Sequence, residues 1–223
     1  MRIIIPLLCA LVGAAFGAPS VPADAPVALI LDAAISLPPE AATALHREVE
    51  NIFRETGYSF HWVNRSELKA EDSFANLVVI RLKSACRSDL EVRLAPAGSH
   101  APLGWAHSSE GEILPFIEVD CARLGRMLRA SSRGESEVAQ RQMMGRALGR
   151  VLSHELYHVL TGSSHHAHSG IAQAALTPTH LTRSALAFTA RELSLLTRRS
   201  YSARQTQPPV SITSEEPVFE SGR

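Results

Sequence analysis

The chain lacks a surplus of charge of either sign. Its 223 residues carry 22 Lys and Arg against 22 Asp and Glu, and no basic cluster interleaved with aromatics occurs, so nothing marks nucleic acid or an acidic membrane surface as a partner. Cysteine is scarce as well, at 3 residues. Cys9 falls in an N-terminal segment with the marks of a secretory signal: Met1-Arg2 as a positive start, an apolar stretch over 3–16, and a small-x-small site at Ala15-Phe16-Gly17. That stretch is too short for a membrane span. The expectation is a signal peptide over 1–17, a secreted or periplasmic protein, and no stable membrane insertion after cleavage. Cys86 and Cys121 then remain in an oxidising compartment, where a disulfide is the simplest reading; closing a loop of that length stabilises by about 4 kcal/mol. Internal repeats are absent too.

What is present is one domain, expected over 18–201, with 45% hydrophobic residues overall, followed by a Pro-, Ser- and Glu-rich tail over 202–223 that reads as disordered. The first half alternates strand and helix. Strands are expected at 27–31, 58–63, 76–82 and 112–120, with a short edge strand at 104–107, and an amphipathic helix at 38–55. Pro115 asks for a strand with one free side. A helix to about Ala130 and a polar turn then lead into a second long helix. The expected fold is α/β (α+β), with a mixed twisted sheet and a central helix.

That central helix carries the chemistry. Ala147, Val151, His154 and His158 form one stripe, and Leu148, Leu152, Leu156 and Val159 an adjacent apolar one, so two faces are buried. Gly145 and Gly149, one turn apart, each cost about 1 kcal/mol against Ala, which points to a backbone packed closely there. Gly162 is the helix stop. Arg141, Arg146 and Arg150 read as solvated. Within His154-Glu155-Leu156-Tyr157-His158, the two histidines four apart share one face and can hold a metal ion together. Glu155 beside them can act as general base toward a metal-activated water. Catalytic zinc takes three protein ligands and keeps a fourth position open. The segment 163–170 offers His165, His166 and His168 for the third.

This pattern, HExxH with a helix-ending glycine and a nearby histidine, resembles the metzincin zinc metallopeptidases, whose usual form is HExxHxxGxxH. Here Thr161 stands at the usual glycine position and Gly162 one residue later, which would keep His165 in a Gly-x-x-His register. A closer resemblance is to short exported bacterial metallopeptidase-like proteins with HExxHxLLGxxxHSxxGLM. In that register Gly162, His166, Gly170 and Ile171 align, Ala167 replaces a serine, and Ala172 replaces the final Met. The resemblance implies a metzincin-like fold, Zn²⁺ on His154, His158 and His166, Glu155 as catalytic base, and a peptide or protein substrate bound along a sheet edge.

Other readings stay open. A zinc hydrolase of a non-protein amide such as cell-wall peptide would use the same ligands, and a non-catalytic metal-binding or interaction protein would explain the irregular ligand loop. Glu192, the only acidic residue between Glu155 and the tail, is the one possible carboxylate ligand, but Thr189 and Glu192 have capping-box spacing. His107 could help to polarise a substrate carbonyl, although an ordinary half-exposed strand histidine is the plainer reading; His168 and His180 could bind a transition-state oxyanion, with nothing in the sequence to select either. Tyr157 reads as packing.

Overall fold

A computed structural model describes residues 26–33, 37–86, 101–182, 185–203 and 210–211. The expected segments 1–17 and 202–223 lie wholly or almost wholly outside them. In chain order the elements are β1 (Val27–Ala33), α1 (Pro39–Phe53), β2 (Phe60–Asn64), a 3-10 turn (Arg65–Glu67), β3 (Ser73–Phe74), β4 (Leu77–Lys83), β5 (Gly104–Ser109), β6 (Glu112–Asp120), α2 (Cys121–Ser132), α3 (Glu137–Thr161), α4 (Pro178–Thr182), α5 (Ala190–Ala203) and β7 (Val210–Ser211). β3 pairs with β7. The other five strands form one sheet in the order β2-β1-β4-β6-β5. All neighbours are parallel except β5, which runs antiparallel to β6 and forms an edge. This is the mixed α/β architecture the alternation of strand and helix implies. No described helix is long and apolar enough to cross a membrane.

Alternation along the strands puts Leu29, Ile80 and Ile117 on the same buried face, against Leu45, Val49 and Phe53 of α1, Leu124 and Leu128 of α2, and Leu148, Leu152 and Leu156 of α3. α1 opens on Pro39, where a missing N–H costs nothing. α2 is capped by Asp120, whose side chain accepts the Arg123 N–H at 2.9 Å. Cys86 and Cys121 form a disulfide that ties the segment after β4 to the first residue of α2.

The β5–β6 hairpin turns on Glu110 and Gly111, both at positive φ (52° and 86°), the pair of conformations a two-residue turn requires. Pro115 finds its free side here in a specific way. The β4–β6 ladder begins at Val79 and Phe116, one residue after the proline, which has no N–H to give. On the other side the β5–β6 register shifts between Ala106 and Ser108, so the proline falls at a bulge.

α3 is the spine. Ser136 caps its start, with Oγ accepting the Ala139 N–H at 3.3 Å, and Gly162 stops it at φ 55° with its N–H turned back to the carbonyls of His158 and Val159. Its packing on α1 is backbone-close. A Cβ placed on Gly145 would stand 2.1 Å from the Ala41 carbonyl oxygen, and one on Gly149 2.8 Å from Glu48 Cβ and 3.1 Å from the Leu45 oxygen.

Arg150 corrects its expected solvated position. It is 5% exposed, with Nε donating to Glu48 Oε1 at 2.6 Å and Nη1 to the His180 carbonyl. The helical spacing that puts it beside His154 also turns it under α1, and the paired carboxylate makes that burial tolerable. Arg141 remains partly exposed, paired with Glu137 one turn before it.

The glycine contact yields a prediction. Gly145→Ala gains about 1 kcal/mol of helix propensity but drives a methyl into the α1 backbone, so overpacking of about 3 kcal/mol prevails. The thermal midpoint should fall by roughly 4–8 °C for a chain of this size, measured by circular dichroism. An unchanged or higher midpoint would contradict the close packing.

Candidate metal centre

The helical repeat puts His154 and His158 on one face of α3 with Nε2 atoms 3.1 Å apart. Each ring is oriented through its other nitrogen. His154 Nδ1 lies 2.9 Å from the Ile171 carbonyl oxygen, and His158 Nδ1 lies 2.6 Å from that of Ser163. A carbonyl only accepts, so both Nδ1 atoms carry the proton and both Nε2 atoms present lone pairs to each other. Two lone pairs at that distance repel unless a cation sits between them. Two ligands on a tetrahedral ion at 2.0–2.1 Å stand about 3.3 Å apart, close to the spacing found.

His166 completes the group. Its ring centroid lies 5.2 Å from that of His154 and 4.8 Å from that of His158, and the ligand atoms of the three all lie within 4.8 Å of one another. The two helical histidines are buried and His166 is exposed, so the group opens to solvent on one side. Local backbone bonds place His166: the Ala167 N–H donates to the Ala172 carbonyl at 2.8 Å, and Ala167 bridges to Gln173. Gly170 makes the turn at φ 78°, where a Cβ would also approach the Ala187 oxygen to 2.7 Å. Ala172, at the position of the missing Met, is fully buried. His165 is not in the group: its Nδ1 lies 3.3 Å from Ser163 Oγ on the exposed side of the loop. His168 is exposed.

Glu155 is on the same turn, 6% exposed. The β5 edge reaches it: the Ala106 N–H donates to Glu155 Oε2 at 2.8 Å. In the antiparallel β5–β6 pair, Ala106 faces Ile117 and its N–H points to the open side. Gly104 makes room for this approach, since a Cβ there would lie 2.9 Å from Val151 Cγ1 and 3.2 Å from Glu155 Cγ. Sequence reading found Glu155 but not its partner. A backbone donor has no residue signature, and the two small residues at 104 and 106 were the only trace.

Burial drives these groups apart electrostatically. Desolvation pulls His154 from 6.5 down to about 4, against the Ile171 bond and with help from His158 and His166. It lowers His158 too. The same desolvation raises Glu155 from 4.5 to about 7, opposed by the Ala106 N–H. The site therefore favours neutral imidazoles, the form that binds metal, and a carboxyl that changes state near neutrality.

The remaining candidates lie elsewhere. Glu192 is buried, and its Oε2 accepts the Thr189 N–H at 2.7 Å, as the capping-box spacing implies. It takes no part in the histidine group. Tyr157 is buried one residue from His158, its ring 5.8 Å from Phe188. His107 lies 2.9 Å from Glu118 Oε2.

No protein-family model matches the chain, and no curated protein does. Among solved structures it is similar to one described as archaemetzincin from Methanopyrus kandleri, with 15% identity and a TM-score of 0.48, over 78% of this chain and 95% of that one. A likeness this distant assigns no role to any residue of the site.

The opposed shifts predict a specific pH profile for the metal-free chain. Below 6.5 the unfolded chain takes up a proton that folded His154 refuses until about 4, so His154 costs stability as pH falls through that window. Between 4.5 and about 7 folded Glu155 keeps a proton that the unfolded chain releases, so it costs stability as pH rises. The two offset each other where they overlap. In Glu155→Gln only the histidine contribution remains: its midpoint should drop more steeply than wild type from pH 6.5 to 4.5. Above pH 7.5 it should exceed wild type by several degrees, for about 3 kcal/mol. Parallel profiles for the two proteins would refute the burial effect on Glu155.

Proposed function

We propose that this protein is an exported zinc-dependent metallopeptidase with a metzincin-like fold, in which His154, His158 and His166 hold Zn²⁺ and Glu155 is the general base. The observation that carries the reading is the pair of imidazole nitrogens facing each other at 3.1 Å, each ring braced through Nδ1 by a carbonyl, with a buried carboxyl on the same helical turn. Three imidazole nitrogen donors with one open side are the donor set of a catalytic rather than a structural zinc site. Bound there, Zn²⁺ would lower the pKa of a coordinated water towards neutrality and polarise the scissile carbonyl.

The chain's own groups do the rest. The Ala106 N–H holds Oε2 of Glu155, which leaves Oε1 to take the proton from the attacking water and return it to the leaving amine. In the metal-free chain burial raises this carboxyl to about 7; a bound cation would favour its ionised form, the one that accepts the water's proton. β5 is the terminal strand of the described sheet and lies next to Glu155, so an extended peptide can add to its open side and set its scissile bond beside the histidines. Export agrees with the Cys86–Cys121 disulfide, since such bonds persist in oxidising compartments.

The test is zinc content and casein hydrolysis measured on the same purified samples. Wild type should hold stoichiometric zinc and cleave in a chelator-sensitive way. His166→Ala should lose both, while His165→Ala keeps them. Glu155→Gln should keep the metal and lose turnover by a factor on the order of 10² to 10⁴. Zinc retained in His166→Ala, or full turnover in Glu155→Gln, would overturn the assignment of that residue.

A further inference from the structure

His180 belongs to no ligand set, yet its ring is fixed in place. Nδ1 accepts from Gln173 Nε2 at 3.0 Å and faces the Thr177 N–H at 3.4 Å. The His180 backbone N–H donates to Thr177 Oγ1 at 3.2 Å, and the His180 carbonyl accepts from the Arg150 guanidinium. Both groups facing Nδ1 are N–H donors, so the ring proton sits on Nε2. That Nε2–H has no partner among the described residues, and the side chain is half-buried. A donor is held in one orientation with no acceptor among the described residues.

Its place in the chain explains what it is near. Gln173, which orients the ring, bridges through its backbone to Ala167, the residue after His166. Two positions earlier, the Ile171 carbonyl braces His154. One short strip therefore supports two histidines of the metal group and His180 together. The sequence from Leu156 to Arg191 contains no Asp or Glu, so no carboxylate of this part of the chain competes for the donor.

We propose that His180 binds substrate: its Nε2–H donates to a carbonyl or carboxylate oxygen of the peptide lying beside the three histidines. This deepens the peptidase reading and rests on it. Among His107, His168 and His180, the fixed tautomer and the link through Gln173 to the ligand loop single out His180. His107 is engaged by Glu118, and His168 is exposed with no bond to orient it among the described residues.

The experiment compares zinc-loaded wild type, His180→Ala and His180→Gln on an internally quenched peptide cleaved by wild type, made with either a free carboxylate or an amide at its C-terminus. Zinc content and thermal midpoint are read on the same samples. His180→Ala should lose about five- to tenfold in kcat/KM, the worth of one hydrogen bond in a binding site, with zinc retained. His180→Gln, whose amide N–H can replace the donor, should recover most of it. A loss in KM confined to the free-carboxylate peptide identifies a terminal carboxylate as the acceptor. An equal loss on both peptides identifies a backbone carbonyl. Unchanged kinetics in His180→Ala, or activity that falls only in step with zinc content in both variants, would overturn the proposal while the peptidase reading stands. Absence of cleavage by zinc-loaded wild type on any peptide would remove both.

Discussion

The depth at which α3 lies in the molecule governs everything else, and glycine sets that depth on two sides. Gly145 and Gly149 let α3 approach the α1 backbone, and Gly104 lets the edge strand descend onto Val151 and Glu155. With a side chain at any of these positions, the helix and its neighbours would stand apart by the width of a methyl group. The Ala106 N–H would then no longer reach Glu155, and the carboxyl would be buried without that bond. Three residues without side chains thus hold the reactive side chains in register.

That depth also creates the electrostatic character of the centre. Burial acts on acid and base in opposite senses, lowering His154 and His158 and raising Glu155 within one helical turn. The outcome is a pair of buried imidazoles that stay uncharged beside a carboxyl that changes state near neutrality, which is less costly to bury than three ions. A divalent cation brought to the three nitrogens would reverse part of this, because positive charge favours the ionised form of the neighbouring carboxyl. The centre is built to be inexpensive when empty and to become a charged, reactive one when filled.

Much of this was legible in the sequence because it depended on local spacing. The two stripes of α3, the stop at Gly162, the close approach at Gly145 and Gly149 and the cap at Glu192 all follow from residues within a turn or two of each other, and the structure shows each. Residues 112–120, read as a strand continuing the sheet, form one with those bounds. What could not be read were contacts whose partner is distant or has no side chain. Arg150 looked solvated because Glu48 lies 102 positions away. The carbonyls of Ile171 and Ser163 and the N–H of Ala106 are backbone groups, and no residue type announces them. Ala172 weakened the floor of the site as long as only side chains were visible, whereas His154 is braced there by the Ile171 carbonyl next to it.

Arg150 connects these levels. Its guanidinium joins Glu48 of α1 to the His180 carbonyl of α4, one turn before His154. Because the pair is buried, removing either charge strands the other, and the loss exceeds what the bond itself contributes. The same side chain therefore anchors the spine helix to the core and fixes α4, whose His180 is turned by Gln173 of the ligand loop. Core and loop are not independent modules joined at the metal. They share a buried ion pair, so the packing that stabilises α3 also determines where the groups around the histidines can stand.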